Sequence, residues 1–166
     1  MTATVAAFGL SVEVPAGWEA EIYRREPDAV RGEVTMPILH AANVPLARNR
    51  GDYGGGTVET LGQRGVFVAL LEHDVEAAHT ALFSERRVPW PLSGGEFRPN
   101  ALQRNLPGQA GCQSFFVTAK RALCLYVVIG SFGLRHVLAS EANRLLSAVR
   151  VSATFPVAPR RGGGSR

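Results

Sequence analysis

Ser114-Phe115-Phe116-Val117-Thr118-Ala119-Lys120-Arg121-Ala122-Leu123-Cys124-Leu125-Tyr126-Val127-Val128-Ile129 is dense in aromatic and β-branched side chains. Such residues fit a pleated, buried surface, so two neighbouring strands are expected, 114–118 and 122–129, with a turn at 119–121. That register sets Cys112 opposite residue 128 and Cys124 opposite residue 116, beyond disulfide reach. The only two cysteines are therefore expected to be reduced thiols acting as small hydrophobes. Just beyond, Leu134, Leu138, Ala142, Leu145 and Val149 recur at spacings of 4, 4, 3 and 4, one apolar stripe of a helix.

Upstream, Leu10, Val12 and Val14 alternate with Ser11 and Glu13, the period of a half-buried strand. Pro15-Ala16-Gly17 supplies a turn, and Trp18, Ala20 and Ile22 alternate again, so an N-terminal hairpin is expected. A third strand is expected from Glu33 to Val44, with Pro37 marking an edge position or a bulge. Val66 to Leu71 is continuously apolar and fits a strand buried on both faces. Thr57 and Asp74 can cap short helices, the first ending before Gly62 and the second running from Val75 to about Phe83. The stretch 84–109, with Pro89, Pro91, Pro99 and Pro107, is an irregular excursion with one helical turn near Ala101–Arg104. Strands followed by a helix, without regular alternation, imply an α+β fold: an antiparallel β-sheet with flanking helices and the C-terminal helix packed on it.

The chain has 166 residues, 46% of them apolar and 19% charged. That composition supports one globular domain, 1–155, with a hydrophobic core. Residues 156–166 hold prolines, glycines and Arg160, Arg161 and Arg166, a disordered basic tail by composition. The formal net charge is +4, but without that tail 15 basic residues face 14 acidic ones. A phosphate-tracking stripe needs more excess charge on the folded surface, which argues against a nucleic-acid partner. No apolar run reaches the ~18–20 residues that span a bilayer, and the N-terminus lacks the basic n-region of a signal peptide. A cytoplasmic protein without a membrane partner is expected.

Gly9-Leu10-Ser11-Val12-Glu13-Val14-Pro15-Ala16-Gly17-Trp18 resembles the opening of the Mog1/PsbP-like superfamily: a strand, then a Pro and a Trp before the second strand. The far end is similar too, with the apolar strand Leu123 to Ile129 ahead of a helix closing in Leu145-Leu146-Ser147-Ala148-Val149. The resemblance covers the two ends of the chain. It implies an antiparallel sheet between helices, used mostly as a non-enzymatic adaptor, chaperone or accessory subunit; this is analogy at the level of fold.

Two clusters of polar residues compete as functional sites. Glu72-His73-Asp74-Val75-Glu76-Ala77-Ala78-His79 carries donor types for a metal, with His73, Asp74, Glu76 and His79 as ligands. Yet the two imidazoles are six apart across a strand–helix junction, whereas helical ligands sit four apart on one face. Helix capping by Asp74, with Glu76 in the first turn and His79 near the end, explains the same residues. Arg86-Arg87-Val88-Pro89-Trp90-Pro91-Leu92 combines the side chains most enriched at binding hot spots with prolines that lower the entropy lost on docking. Arg98, Gln103, Arg104 and Gln109 add polar contacts further along.

The competing reading of Trp90 is a side chain plugging the loop onto its own core. Gly51-Asp52-Tyr53-Gly54-Gly55-Gly56-Thr57 lacks the Lys and spacing of a phosphate cradle; as a binding loop it would use Tyr53 and exposed amides. No Gly-x-Ser-x-Gly elbow is present, neither cysteine adjoins a His, and His40 and His136 stand alone in sequence. The expectation is a non-enzymatic protein–protein interaction, adaptor or assembly module, docking through Arg86, Arg87, Trp90, Arg98, Gln103, Arg104 and Gln109. No cofactor is expected, another protein is the expected partner, and self-association is left open. The metal-binding protein or metal-dependent enzyme is the alternative.

Overall fold

A computed structural model describes residues 2–25, 30 and 35–153. Among the described residues, two antiparallel sheets and one α-helix make up the fold. The smaller sheet has the order β1-β2-β8, from Ala3–Ala7, Leu10–Val14 and Val149–Val151. The larger has the order β3-β4-β5-β7-β6, from Glu19–Tyr23, Ile38–Ala42, Val66–Glu72, Arg121–Ile129 and Ala110–Thr118. The helix α1, Arg135–Leu146, links β7 to β8. The α+β class and the C-terminal helix packed on a sheet are as the sequence implies.

Burial on both faces explains why β5 and β7 lack alternation. Val66, Val68 and Leu70 of β5 and Leu123, Leu125 and Val127 of β7 join Leu138, Ala142, Leu145 and Leu146 of α1 in one core. Leu10, Val12 and Val14 of β2 close the same core from the smaller sheet. Each fully buried leucine contributes about 2 kcal/mol over its exposed state. The opposite face of β5 and β7, with Phe67, Ala69, Leu71, Cys124, Tyr126 and Val128, is a second core. Loops cover it, from Val44, Leu46 and Tyr53 on one side and Leu102 and Leu106 on the other.

Several local expectations change in the folded chain. Leu10–Val14 and Glu19–Tyr23 do not form a hairpin: β2 pairs with β1 and β8, and β3 pairs with β4. Pro15-Ala16-Gly17 turns the chain from one sheet into the other, with Trp18 N–H donating to the Pro15 carbonyl at 3.1 Å. The third strand is Ile38–Ala42 and lies inside its sheet. Pro37 is tolerated because it sits just before the strand, where its carbonyl still accepts from Glu72 N–H at 3.1 Å. Glu33 and Val34, like the tail 156–166, lie outside the described residues.

The helices expected after Thr57 and Asp74 are short 3-10 turns, Val58–Thr60, Val75–His79 and Ala81–Phe83. Thr57 does not cap; its buried hydroxyl accepts from Ala47 N–H at 3.0 Å. Residues 101–104 are not helical, and the 3-10 turn of that excursion is Gly94–Glu96, fixed by a Ser93/Glu96 capping box. Val149 leaves the helical stripe and opens β8. The β6–β7 turn has two residues, Ala119 and Lys120, both at positive φ (50° and 62°). Cys112 therefore pairs with Val127 and Cys124 with Phe115, one residue from the expected register. Both thiols are free and buried.

Candidate functional site

The excursion expected to dock a partner divides into two places. Its first half frames the outer edge of β6. Glu85 accepts from Val117 N–H at 2.9 Å, and Arg98 exchanges both backbone bonds with Gly111 at 2.9 and 3.0 Å. Between those anchors the chain leaves the sheet and crosses the α1-side core. Trp90 packs edge-on against Phe116, with ring centroids 5.7 Å apart. Asn143 of α1 holds Leu92 through both backbone groups, at 2.7 and 2.9 Å.

This detour leaves part of the edge open. In an antiparallel ladder alternate residues direct their N–H and C=O outward, and Gly111 and Val117 both bond outward. Gln113 and Phe115 share that direction, and no other described residue bonds to their outward amides. An open groove of about 910 Å³ runs along this edge, lined by Arg87, Val88, Trp90, Ser114, Phe115 and Glu96 among others. One side of Trp90 packs on the core and the rest lines the groove. Arg86 is turned back, donating to the Ala78 carbonyl at 3.3 Å, and Arg98 donates to the Gly95 carbonyl at 2.6 Å. Arg87 lies exposed at the groove.

Gln103, Arg104 and Gln109 belong elsewhere, on the loop-covered face of the sheet. The loops 51–59 and 102–109 meet beside Tyr126 and Val128 and frame a half-open pocket of about 310 Å³. Tyr53 and Tyr126 meet edge to face at 5.2 Å and 90°, and Gln103 N–H donates to the Tyr126 hydroxyl at 2.9 Å. Gln109 Nε2 donates to the Val58 carbonyl at 2.8 Å. At the rim Glu59 accepts from Gly56 N–H at 2.7 Å and faces Arg104 at 3.8 Å.

What holds the 51–57 loop in place is a residue with no sequence signal, His40. It is fully buried in β4. Its Nε2 lies 2.7 Å from the Asp52 carbonyl, and Arg50 Nε donates to its Nδ1 at 3.0 Å. Because Nδ1 accepts, the proton sits on Nε2 and is donated to Asp52. Burial pushes the His40 pKa down to about 4, and the Arg50 guanidinium adds to the shift. The ring is neutral at pH 7. Gly54 completes the loop at φ +82°, where a Cβ would lie 2.4 Å from the Phe67 ring.

The 72–79 cluster is dispersed. Glu72 is buried against Arg121, at 2.8 and 2.5 Å. His73 packs on Phe83 and Phe115, ring centroids 5.2 and 6.2 Å away, and burial lowers its pKa. Asp74 caps its turn by accepting from Glu76 N–H at 3.3 Å. Glu76 and His79 are exposed. Among the described residues no group of three or more His, Cys, Asp or Glu is placed to hold a metal ion.

Burial pushes the Cys112 thiol up to about 12 and raises Cys124 as well, the opposite of an activated nucleophile. No described helix is long and apolar enough to cross a membrane. Comparison with protein-family models, curated proteins and solved structures returns no match.

Proposed function

We propose that this protein is a non-enzymatic interaction module that takes an extended segment of a partner protein along the open edge of β6. The observation that carries this is the unpaired stretch at Gln113 and Phe115, bracketed by the Glu85 and Arg98 anchors and facing the Trp90 groove. An exposed strand edge recognises a backbone in extended conformation, and adjoining pockets select its side chains. Trp90 and Val88 offer apolar contact, while Arg87, Glu85 and Glu96 offer charges of both signs at the rim. A partner segment with one apolar anchor flanked by charged residues fits that chemistry. The likeness to Mog1/PsbP-like domains favours the same class of role.

Strand addition makes a specific demand on one N–H. Gln113 N–H points away from β7, so Gln113→Pro removes an outward donor and spares the ladder. Peptides selected from a random library on the wild-type protein should bind Gln113→Pro about tenfold more weakly, the loss of one backbone bond. Gln113→Ala should bind like wild type. Equal binding by Gln113→Pro, or no selectable peptide at all, would contradict strand addition.

A further inference from the structure

We infer that the partner segment pairs with β6 over three residues only, antiparallel to it, with an apolar middle residue turned towards Trp90. On both sides of those three residues the segment leaves the plane of the sheet. This rests on the strand addition proposed above and fixes its length, direction and register. The partner that fits is therefore a projecting bend of chain, and not the edge of another sheet.

Length follows from the two anchors. Arg98 exchanges both backbone bonds with Gly111, and Glu85 accepts from Val117 N–H, so each already fills the place of an added residue. A partner residue opposite Gly111 or Val117 would overlap this chain's own backbone. Between the anchors Gln113 and Phe115 direct their backbone groups outward, while Cys112, Ser114 and Phe116 direct theirs to β7. In an antiparallel pairing one partner residue exchanges both bonds with Phe115, and the next but one exchanges both with Gln113. Three residues then satisfy all four open groups. A parallel segment spreads the same bonds over a longer run and would strike the anchors. The antiparallel direction is also that of Arg98 beside Gly111. A second copy's β6 carries the same two anchors, which would collide with those of the first, so this edge does not pair with itself.

The pleat sets the register. Phe116 belongs to the core on the α1 side, with Trp90 edge-on against it at 5.7 Å, whereas Phe115 packs on the opposite face. Ser114 alternates with Phe115 and so faces the α1 side. Residues directly opposite one another in an antiparallel pair share a face. The middle partner residue, opposite Ser114, therefore points to the side where Trp90, Val88 and Pro89 line the groove. At about 910 Å³ the groove has room for an aromatic ring there. The two neighbouring side chains point the other way, beside Gln113 and Phe115.

Peptides selected from a random library on the wild-type protein carry the test, with each backbone N–H replaced in turn by N-methyl. Methylation should weaken binding about tenfold at two positions, separated by one residue, each removing one backbone bond. At the residue between them, and outside them, the change should stay below about twofold. Replacing the middle side chain by Ala should weaken binding about tenfold or more. In the complex with the unmodified peptide, that side chain should show NOEs to the Trp90 indole. A third sensitive position overturns the three-residue limit while leaving strand addition standing. NOEs from the middle side chain to Phe115 in place of Trp90 overturn the register. No sensitive position at all overturns strand addition and this inference with it. Every measurement uses the wild-type protein, so none depends on a variant folding.

Discussion

Arg121 and Glu72 form a buried, two-point ion pair, Nε to Oε1 at 2.8 Å and Nη2 to Oε2 at 2.5 Å, at the junction of the two sheets. Their side chains are 6% and 4% exposed. Arg121 also donates to the Phe8 carbonyl at 2.9 Å and the Ser152 carbonyl at 3.2 Å. Phe8 lies between β1 and β2, and Ser152 follows β8. One guanidinium therefore ties the smaller sheet to β5 and β7. Removing one partner strands a buried charge, so Arg121→Met should cost about 3–5 kcal/mol in urea denaturation. A loss under about 1 kcal/mol would show that the pair does not join the sheets.

The His40–Arg50 contact sets a pH dependence. Burial holds the folded-state pKa near 4, below the ordinary value of about 6.5. Above pH 6.5 His40 is neutral in both states and its contribution to stability is fully present. As the pH falls from 6.5 towards 4, only the unfolded chain gains the proton, and up to about 3 kcal/mol is lost. His40→Gln retains an acceptor and a donor without titrating, so its stability should fall less steeply across this window. Parallel pH profiles for the two proteins would contradict the assignment.

Cys112 and Cys124 should resist a thiol reagent at pH 8 in the native protein and react together on denaturation. Burial keeps both protonated, and the thiolate is the reactive form. Labelling of the folded protein within minutes would mean that the β6–β7 core opens.

Ala119 and Lys120 occupy left-handed backbone conformations that favour Asn and Gly. The double change Ala119→Asn with Lys120→Gly should stabilise the protein by about 1 kcal/mol by relieving that strain. Unchanged or lower stability by thermal or urea denaturation would show another turn geometry.

The parts of this fold that could be read from sequence are those whose burial is written locally. β5, β6, β7 and α1 declare themselves through apolar runs or a helical stripe, because each side chain's environment follows from its own element. Strand partners do not. Nothing in Pro15-Ala16-Gly17 distinguishes a hairpin turn from a passage between sheets, and Ala3–Ala7 has too exposed a pattern to stand out. The site residues divide in the same way. Trp90, Arg87, Tyr53 and Gln109 stand out in irregular segments. His40 looked isolated, because its partners Arg50 and Asp52 reach it only after the chain folds back. The openness of Gln113 and Phe115 depends on where Glu85 and Arg98 anchor, which no local pattern records.

Amide hydrogen exchange at Gln113 and Phe115 tests strand addition most directly. In the free protein these two amides should exchange quickly while their β7-bonded neighbours Ser114 and Phe116 are protected. With a bound peptide, Gln113 and Phe115 should become protected in step with occupancy. If the peptide binds and shields another surface while these two amides exchange at the free rate, the β6 edge is not the docking site.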